Sequence, residues 1–254
     1  MALISFKYMS KVLRMQTDIA VVLPDYEDLD HPPRFKTLYL LHGFSGDCQD
    51  WLRNTSIERQ AIARNLAVVM PCGYNSAYTD MAYGQNYFTY LSEELPRFVG
   101  GVLPLSTQRE DCFVAGNSMG GYGALKWALS CPECFAAAAS FSGSLHVEDR
   151  ILGRSANSGN QCKGMYGDPP KVDPPTQDLF AMLESLKRAK VSIPRLFACC
   201  GTGDKSHIYG AYADFSEHAK RLQVPVYAED GPGGHTWEYW ESRLSFALDW
   251  LLST

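Results

Sequence analysis

Residues 113–129 read FVAGNSMGGYGALKWAL: an apolar run, a serine among four glycines, then a helical pattern. Glycine loses the most backbone freedom on folding, so such a cluster marks a backbone that bends sharply or that another segment approaches closely. Gly116-Asn117-Ser118-Met119-Gly120 fits the pattern Gly-x-Ser-x-Gly. With a strand before it and a helix after it, this pattern is a nucleophile elbow, which lifts a serine hydroxyl above the edge of a sheet. The competing reading is a glycine-rich turn that only packs closely. The flanks decide between them, and here both have the required character.

The rest of the chain repeats the alternation. Strand-like runs lie at 36–43 (KTLYLLHG), 67–73 (AVVMPCG), 110–116 (EDCFVAG), 136–143 (AAAASFSG), 193–201 (IPRLFACCG) and 225–230 (PVYAED). Helical patterns lie between them at 54–66, 86–99 and 210–222, and another closes the chain at 236–253. Strands alternating with helices imply βαβ units and a mostly parallel sheet covered by helices on both faces. Continuously apolar strands agree, because parallel strands are buried on both sides. Residues 3–24 hold no helical pattern and fit an antiparallel hairpin at the sheet edge. The fold class expected is α/β, as one domain over residues 1–254. Residues 144–178 break the rhythm with many Gly, Pro, Ser and Asn. A connection of that length is a lid, a binding loop or a plain surface loop; it is read as an insertion over the site.

Composition removes several classes. A net charge of −5 without a basic block argues against nucleic-acid binding. No run of about 18 apolar residues is present, so no membrane helix is expected. Lys7, Lys11 and Arg14 interrupt the first apolar stretch, which therefore does not read as an export signal. The eight cysteines then read as reduced thiols in the cytosol. Cys131-Pro132-Glu133-Cys134 is a lone C-x-x-C with no second ligand pair at matching spacing, so no metal is expected.

A serine hydroxyl needs a base, and in this topology the acid and then the histidine follow the serine along the chain. His31 and His42 precede it, His146 lies in the insertion, His207 crowds the acid's loop and His218 sits in a helical stretch. His235, in EDGPGGHTWEYW after the last strand, is the expected base. Asp204, in CCGTGDKSH, follows a strand and precedes a helix. It is favoured as the acid over Asp230, Asp214, Asp168 and Asp173. The oxyanion donors expected are the main-chain N–H groups of Met119, next to the serine, and Phe44, on the early loop LLHGFSGD. Trp51, Tyr78 and Trp237 lie near these motifs and are candidates for contact with substrate, against a simple core-packing role.

The ordered set LLHGFSGDCQDW, GNSMGGYGALKWAL, FSGS, CGTGD and GGHTWEYW resembles the esterase D-like hydrolases, in particular the tributyrin esterase branch related to carbohydrate esterase family 1. The resemblance spans most of the chain. It implies an α/β-hydrolase fold, no cofactor, and hydrolysis of short-chain acyl esters, including acetylated or feruloylated sugars. It also implies Ser118, Asp204 and His235 as the triad, with Phe44 and Met119 as oxyanion donors. CGTGDKSHIYG departs from the acidic-aromatic stretch expected after this Asp. The alternatives are a thioesterase of the S-formylglutathione hydrolase type, an acyltransferase like the mycolyltransferases, and a non-catalytic binding protein on the same scaffold. The expected partner is a small-molecule ester; oligomeric state is left open.

Overall fold

The computed structural model describes residues 1–28, 30, 33–151 and 159–253. Eight strands form one sheet: β1 (Ala2–Ser10), β2 (Met15–Leu23), β3 (Lys36–Leu41), β4 (Leu66–Pro71), β5 (Cys112–Asn117), β6 (Ala137–Phe141), β7 (Arg195–Gly201) and β8 (Val226–Gly231). Their order across the sheet is β1-β2-β4-β3-β5-β6-β7-β8. From β4 to β8 every pairing is parallel. The hairpin expected at the N-terminus is present, with β1 antiparallel to β2 and β2 antiparallel to β4.

Burial follows from position. Every residue of β4, β5 and β6 is buried, as strands covered on both faces must be. The edge strand β1 alternates between half-buried and exposed, so only one of its faces meets the core. The chain runs from β3 outward to β4, then crosses back so that β5 lies on the other side of β3. That reversal makes the carboxyl ends of β3 and β5 the switch point of the sheet, where open α/β folds leave a crevice for ligands.

The helices that matter for the site are α1 (Met119–Ser130), α2 (Asn160–Tyr166), α3 (Leu179–Arg188), α4 (Ser206–Arg221) and α5 (Trp237–Leu252). Helix α1 is buried along nearly its whole length, from Met119 to Leu129. Two apolar clusters fill the two sides of the sheet, one holding Tyr122, Leu125 and Trp127 of α1, the other Trp240, Leu244 and Leu248 of α5.

The insertion is more regular than its composition indicates. Among its described residues, α2 and shorter turns of helix replace the expected loop. Two glycines with positive φ, Gly159 at 73° and Gly167 at 88°, bracket α2. They are its ends, as glycine commonly is, and their number had disguised the helix. Residues 152–158 of the expected insertion lie outside the described residues.

Candidate active site

Ser118 stands between β5 and α1 with φ 54° and ψ −115°, a conformation that L residues rarely adopt. The surroundings hold it there. Its N–H donates to the Phe141 carbonyl at 2.8 Å, and its own carbonyl accepts from Ser144 N at 3.1 Å. The flanking glycines are required by contact. A Cβ on Gly116 would lie 2.4 Å from the Gly120 carbonyl oxygen, and one on Gly120 would lie 2.3 Å from that of Leu41. Strand, turn and helix therefore touch through bare backbone. Ser118 is the one half-buried residue in an otherwise buried run from Cys112 to Leu129.

Three expected residues come together at this point. His235 Nε2 is 2.8 Å from Ser118 Oγ. His235 Nδ1 is 3.0 Å from both carboxylate oxygens of Asp204. A carboxylate only accepts, so Nδ1 carries the proton and Nε2 is left as the acceptor facing the serine. The Asp204 side chain is fully buried, and that of His235 is 17% exposed. Burial pushes the Asp204 carboxyl up, but its bonds to His235 and to the Lys205 N–H outweigh this and hold it below its ordinary value. The Lys205 N–H bond is 2.6 Å long. The buried Ser142 hydroxyl faces the same carboxylate but falls short of hydrogen-bond geometry.

The acid and histidine loops are laced together. Thr202 N donates to Gly231 O and Gly203 N to Gly233 O, each at 2.8 Å. The His235 ring stands edge-on to Trp240 at 5.1 Å, which fixes its plane. Asp230 points elsewhere: its Oδ2 accepts the Tyr209 hydroxyl at 2.5 Å.

Phe44 lies on the loop after β3. The preceding residue, Gly43, is so near Ser118 that a Cβ there would be 3.5 Å from the serine Cβ. Met119 is the first residue of α1, so its N–H has no acceptor within the helix and lies at the helix's positive end. His42 is buried in this loop, with Nδ1 donating to Gly43 O at 2.7 Å and Nε2 accepting from Gly73 N at 2.9 Å. Burial pushes its pKa down, so the ring is kept neutral.

Two of the aromatic expectations are corrected. Trp51 and Tyr78 are each 1% exposed and cannot contact a ligand without unpacking. Trp51 Nε1 donates to the Leu41 carbonyl at 3.0 Å. The Tyr78 hydroxyl donates to the His42 carbonyl at 2.9 Å. Trp51 braces the end of β3 from one apolar cluster, and Tyr78 braces the loop that follows from the other. Trp237 is half-buried and packs edge-on against Trp51 and Trp240. The sequence reading missed Asn75, whose side-chain oxygen accepts from Ser45 N at 2.7 Å. Its only signal was its place in a loop at the carboxyl end of a strand.

The eight cysteines are free thiols. Cys131, Glu133 and Cys134 bring three ligand atoms within 4.8 Å of one another. Burial pushes the Cys131 thiol up to about 12, so it stays protonated at neutral pH. Among the described residues, no helix is long and apolar enough to cross a membrane.

An elbow serine over a parallel sheet, in contact with a histidine that is itself held by a buried carboxylate, defines a serine hydrolase of the α/β-hydrolase fold. The chain belongs to the esterase family described as "Putative esterase", whose model matches residues 10–251, and it is a carboxylic ester hydrolase. It is 31% identical to an acetyl esterase of Caldicellulosiruptor saccharolyticus, a match covering 99% of this chain and 98% of that one. Two solved structures from Staphylococcus aureus are similar, each 35% identical. One is the fluorophosphonate-binding serine hydrolase FphF, with a TM-score of 0.92 over 100% of this chain and 99% of that one. The other is the S-formylglutathione hydrolase FrmB, with a TM-score of 0.90 over 99% of each chain.

Proposed function

We propose that the protein hydrolyses short-chain acyl esters, acetyl to butyryl, through an acyl-enzyme on Ser118. The observation that carries this reading is the contact chain Ser118 Oγ–His235–Asp204, with both contacts at hydrogen-bond distance. Ser118 Oγ attacks the ester carbonyl while His235 Nε2 takes its proton. The carbonyl oxygen becomes an oxyanion, received by the N–H groups of Phe44 and Met119. The imidazolium, steadied by Asp204, returns the proton to the departing alkoxide. Water then attacks the acyl-enzyme with His235 again as base, and the acid is released. Each oxyanion donor of this kind contributes about 2.7–4 kcal/mol to the transition state in related chemistry.

The same reading makes residues 1–254 one catalytic domain, with the insertion at 144–178 beside the site. It places the enzyme in the cytoplasm, where eight free thiols stay reduced. It gives the enzyme neither cofactor nor nucleic-acid partner. A second reading, a thioesterase acting on S-formylglutathione, is supported by the likeness to FrmB. The two are separated by kcat/KM on p-nitrophenyl acetate and on S-formylglutathione, measured side by side. The catalytic assignment is tested by Ser118→Ala with a serine-directed phosphonate. Wild type should take one label and the variant none, with turnover lowered to the residual ~10³-fold over water. A variant that keeps wild-type turnover would remove Ser118 from the mechanism.

A further inference from the structure

Cys48 and Cys72 lie 24 positions apart in the chain and side by side in the fold. Cys72 directly follows β4, and Cys48 lies on the loop after β3 that carries Phe44. Cys48 N donates to Cys72 Sγ at 3.4 Å, and the Cys48 thiol bonds to the same sulfur. Both residues are buried in one apolar cluster. The bonds set Cys72 apart from the other thiols. The Cys48 thiol and N–H stabilise the Cys72 thiolate and outweigh burial, so the Cys72 thiol is held below its ordinary value. Burial instead pushes the Cys112 and Cys200 thiols up to about 12 and drives that of Cys199 well above the usual range. The thiolate is the reactive form of cysteine.

The pair joins the sheet to the loop that would receive the oxyanion. Cys72 N donates to Asp18 O of β2 at 3.0 Å, which anchors this sulfur to the sheet. The next residue, Gly73, gives its N–H to His42 Nε2 at 2.9 Å. The loop that carries Cys48 has little slack. Gly46 N donates to Gly43 O at 3.2 Å, and a Cβ on Gly46 would lie 2.0 Å from Asp50 Oδ2. A bond between two sulfurs is only about 2.05 Å long, far shorter than a non-bonded contact. Closing it draws Cys48 toward the end of β4 and strains the loop between Gly43 and Cys48.

We propose that Cys48 and Cys72 form a reversible disulfide that lowers turnover at Ser118, with hydrogen peroxide as the oxidant. The Cys72 thiolate attacks one peroxide oxygen and the O–O bond breaks. Cys72 becomes a sulfenic acid, and the departing hydroxide takes up the proton that the thiol had released, leaving as water. The Cys48 sulfur then displaces the sulfenic hydroxyl, which leaves with the Cys48 proton as a second water. The two thiols lose two electrons and two protons, and the peroxide gains both. A dithiol reverses the change by exchange. Burial excludes bulky charged disulfides and admits a small neutral oxidant. In a reducing cytosol the pair stays open and closes only under oxidant, as transient cytosolic disulfides do. Formation of the bond is independent of the esterase reading; only its effect on turnover rests on it.

The test treats wild type, Cys48→Ala and Cys72→Ala with hydrogen peroxide. Each is assayed on p-nitrophenyl acetate before treatment, after it, and again after dithiothreitol. We expect oxidised wild type to lose on the order of tenfold in kcat with KM little changed, because a displaced oxyanion donor is felt in the transition state. Dithiothreitol should restore the activity, which it would not do for methionine sulfoxide. Neither variant should show a loss that dithiothreitol reverses. Non-reducing peptide maps of oxidised wild type should contain the Cys48 and Cys72 peptides joined, and this result stands even where a variant fails to fold. In oxidised Cys48→Ala, a 1,3-diketone that captures sulfenic acid should label Cys72. In Cys72→Ala it should leave Cys48 unlabelled, and the reverse pattern would overturn the assignment of Cys72 as the attacking sulfur. Absence of the joined peptides, a reversible loss that persists in both variants, or a joined pair with unchanged kcat would overturn the switch. Failure of the catalytic reading looks different: Ser118→Ala would keep its activity while the disulfide still formed.

Discussion

The elbow and the insertion are opposite solutions to placing a residue at an active site. In the elbow, backbone meets backbone: the Gly116 and Gly120 positions each lie within about 2.5 Å of a carbonyl oxygen when a Cβ is built on them. In the insertion, a Cβ on Gly159 would meet nothing within 4 Å, and one on Gly164 would meet only the tip of Met81 at 3.4 Å. The elbow fixes an atom to a fraction of an ångström and tolerates no change. The insertion is tied on by backbone hydrogen bonds and by the buried side chains of Cys162, Met165 and Tyr166, and leaves room around the backbone of Gly159 and Gly164. Chemistry belongs on the first kind of structure, and choice of substrate on the second.

The sharpest way to break this contrast is to add one carbon to the elbow. Gly120→Ala places a methyl 2.3 Å from the Leu41 carbonyl oxygen and 2.7 Å from that of His42. Both obstacles are main chain and cannot swing aside. We expect insoluble protein, or soluble protein without esterase activity. A variant with wild-type activity and Tm would show that the elbow can relax.

Next in size is the acid. Asp204→Asn should lower kcat on the order of 10⁴, because an amide at this position favours the wrong imidazole tautomer. Asp230→Asn, on the neighbouring strand, should cost far less, since that carboxylate serves Tyr209. Steady-state kinetics of the pair on one p-nitrophenyl ester distinguishes them. A reversed order would move the acid from the loop after β7 to the end of β8.

How much of this could be read in advance divides along the same line. The elbow, the strand order of its partners and the contact between Ser118, His235 and Asp204 follow from local signals: glycines at fixed offsets, and polar residues just past apolar runs. Trp51 and Tyr78 were misplaced because nearness in sequence to a motif says nothing about which side of a loop a ring faces. Here both rings are buried, with their polar atoms bonded to β3 and to His42. Asn75 was missed because its contact with Ser45 bridges thirty positions, and no short pattern encodes such a pair. Helix α2 was hidden because the glycines at its two ends, Gly159 and Gly167, read as loop.

On the loop after β3, the buried His42 makes the stability of the fold depend on pH. Burial holds the imidazole below its ordinary 6.5. Below that pH the unfolded chain binds a proton at His42 that the folded protein refuses. More protons bound by the unfolded state means that stability rises with pH. The contribution is therefore complete above 6.5 and is lost as pH falls toward the depressed folded value. The slope reaches at most about 1.4 kcal/mol per pH unit for one proton. Asp204 adds nothing in this window, because its carboxyl is held below 3.8 and its contribution is lost only in stronger acid. Denaturant melts of wild type and His42→Gln between pH 7 and 5 should show a flatter profile in the variant. Parallel profiles would mean that His42 protonates freely within the fold.

The smallest expected effect has the opposite sign, and it comes from repeating the glycine experiment in the insertion. Gly164 lies inside α2, where glycine costs about 0.8–1.0 kcal/mol relative to alanine. Its backbone has no positive φ to protect. The nearest atom to a new Cβ is the terminal methyl of Met81 at 3.4 Å, an ordinary contact on a flexible side chain. Its carbonyl bond to Tyr83 N is main chain and survives the change. Gly164→Ala should therefore raise stability by about 0.5–1 kcal/mol, read as a higher denaturation midpoint at constant slope. The site residues Ser118, His235 and Asp204 make no contact with Gly164, so kcat/KM on p-nitrophenyl acetate should shift by less than about threefold. If Gly164→Ala instead destabilises as Gly120→Ala is expected to, the insertion is packed as tightly as the elbow, and the division of labour between rigid chemistry and adjustable specificity does not hold for this enzyme.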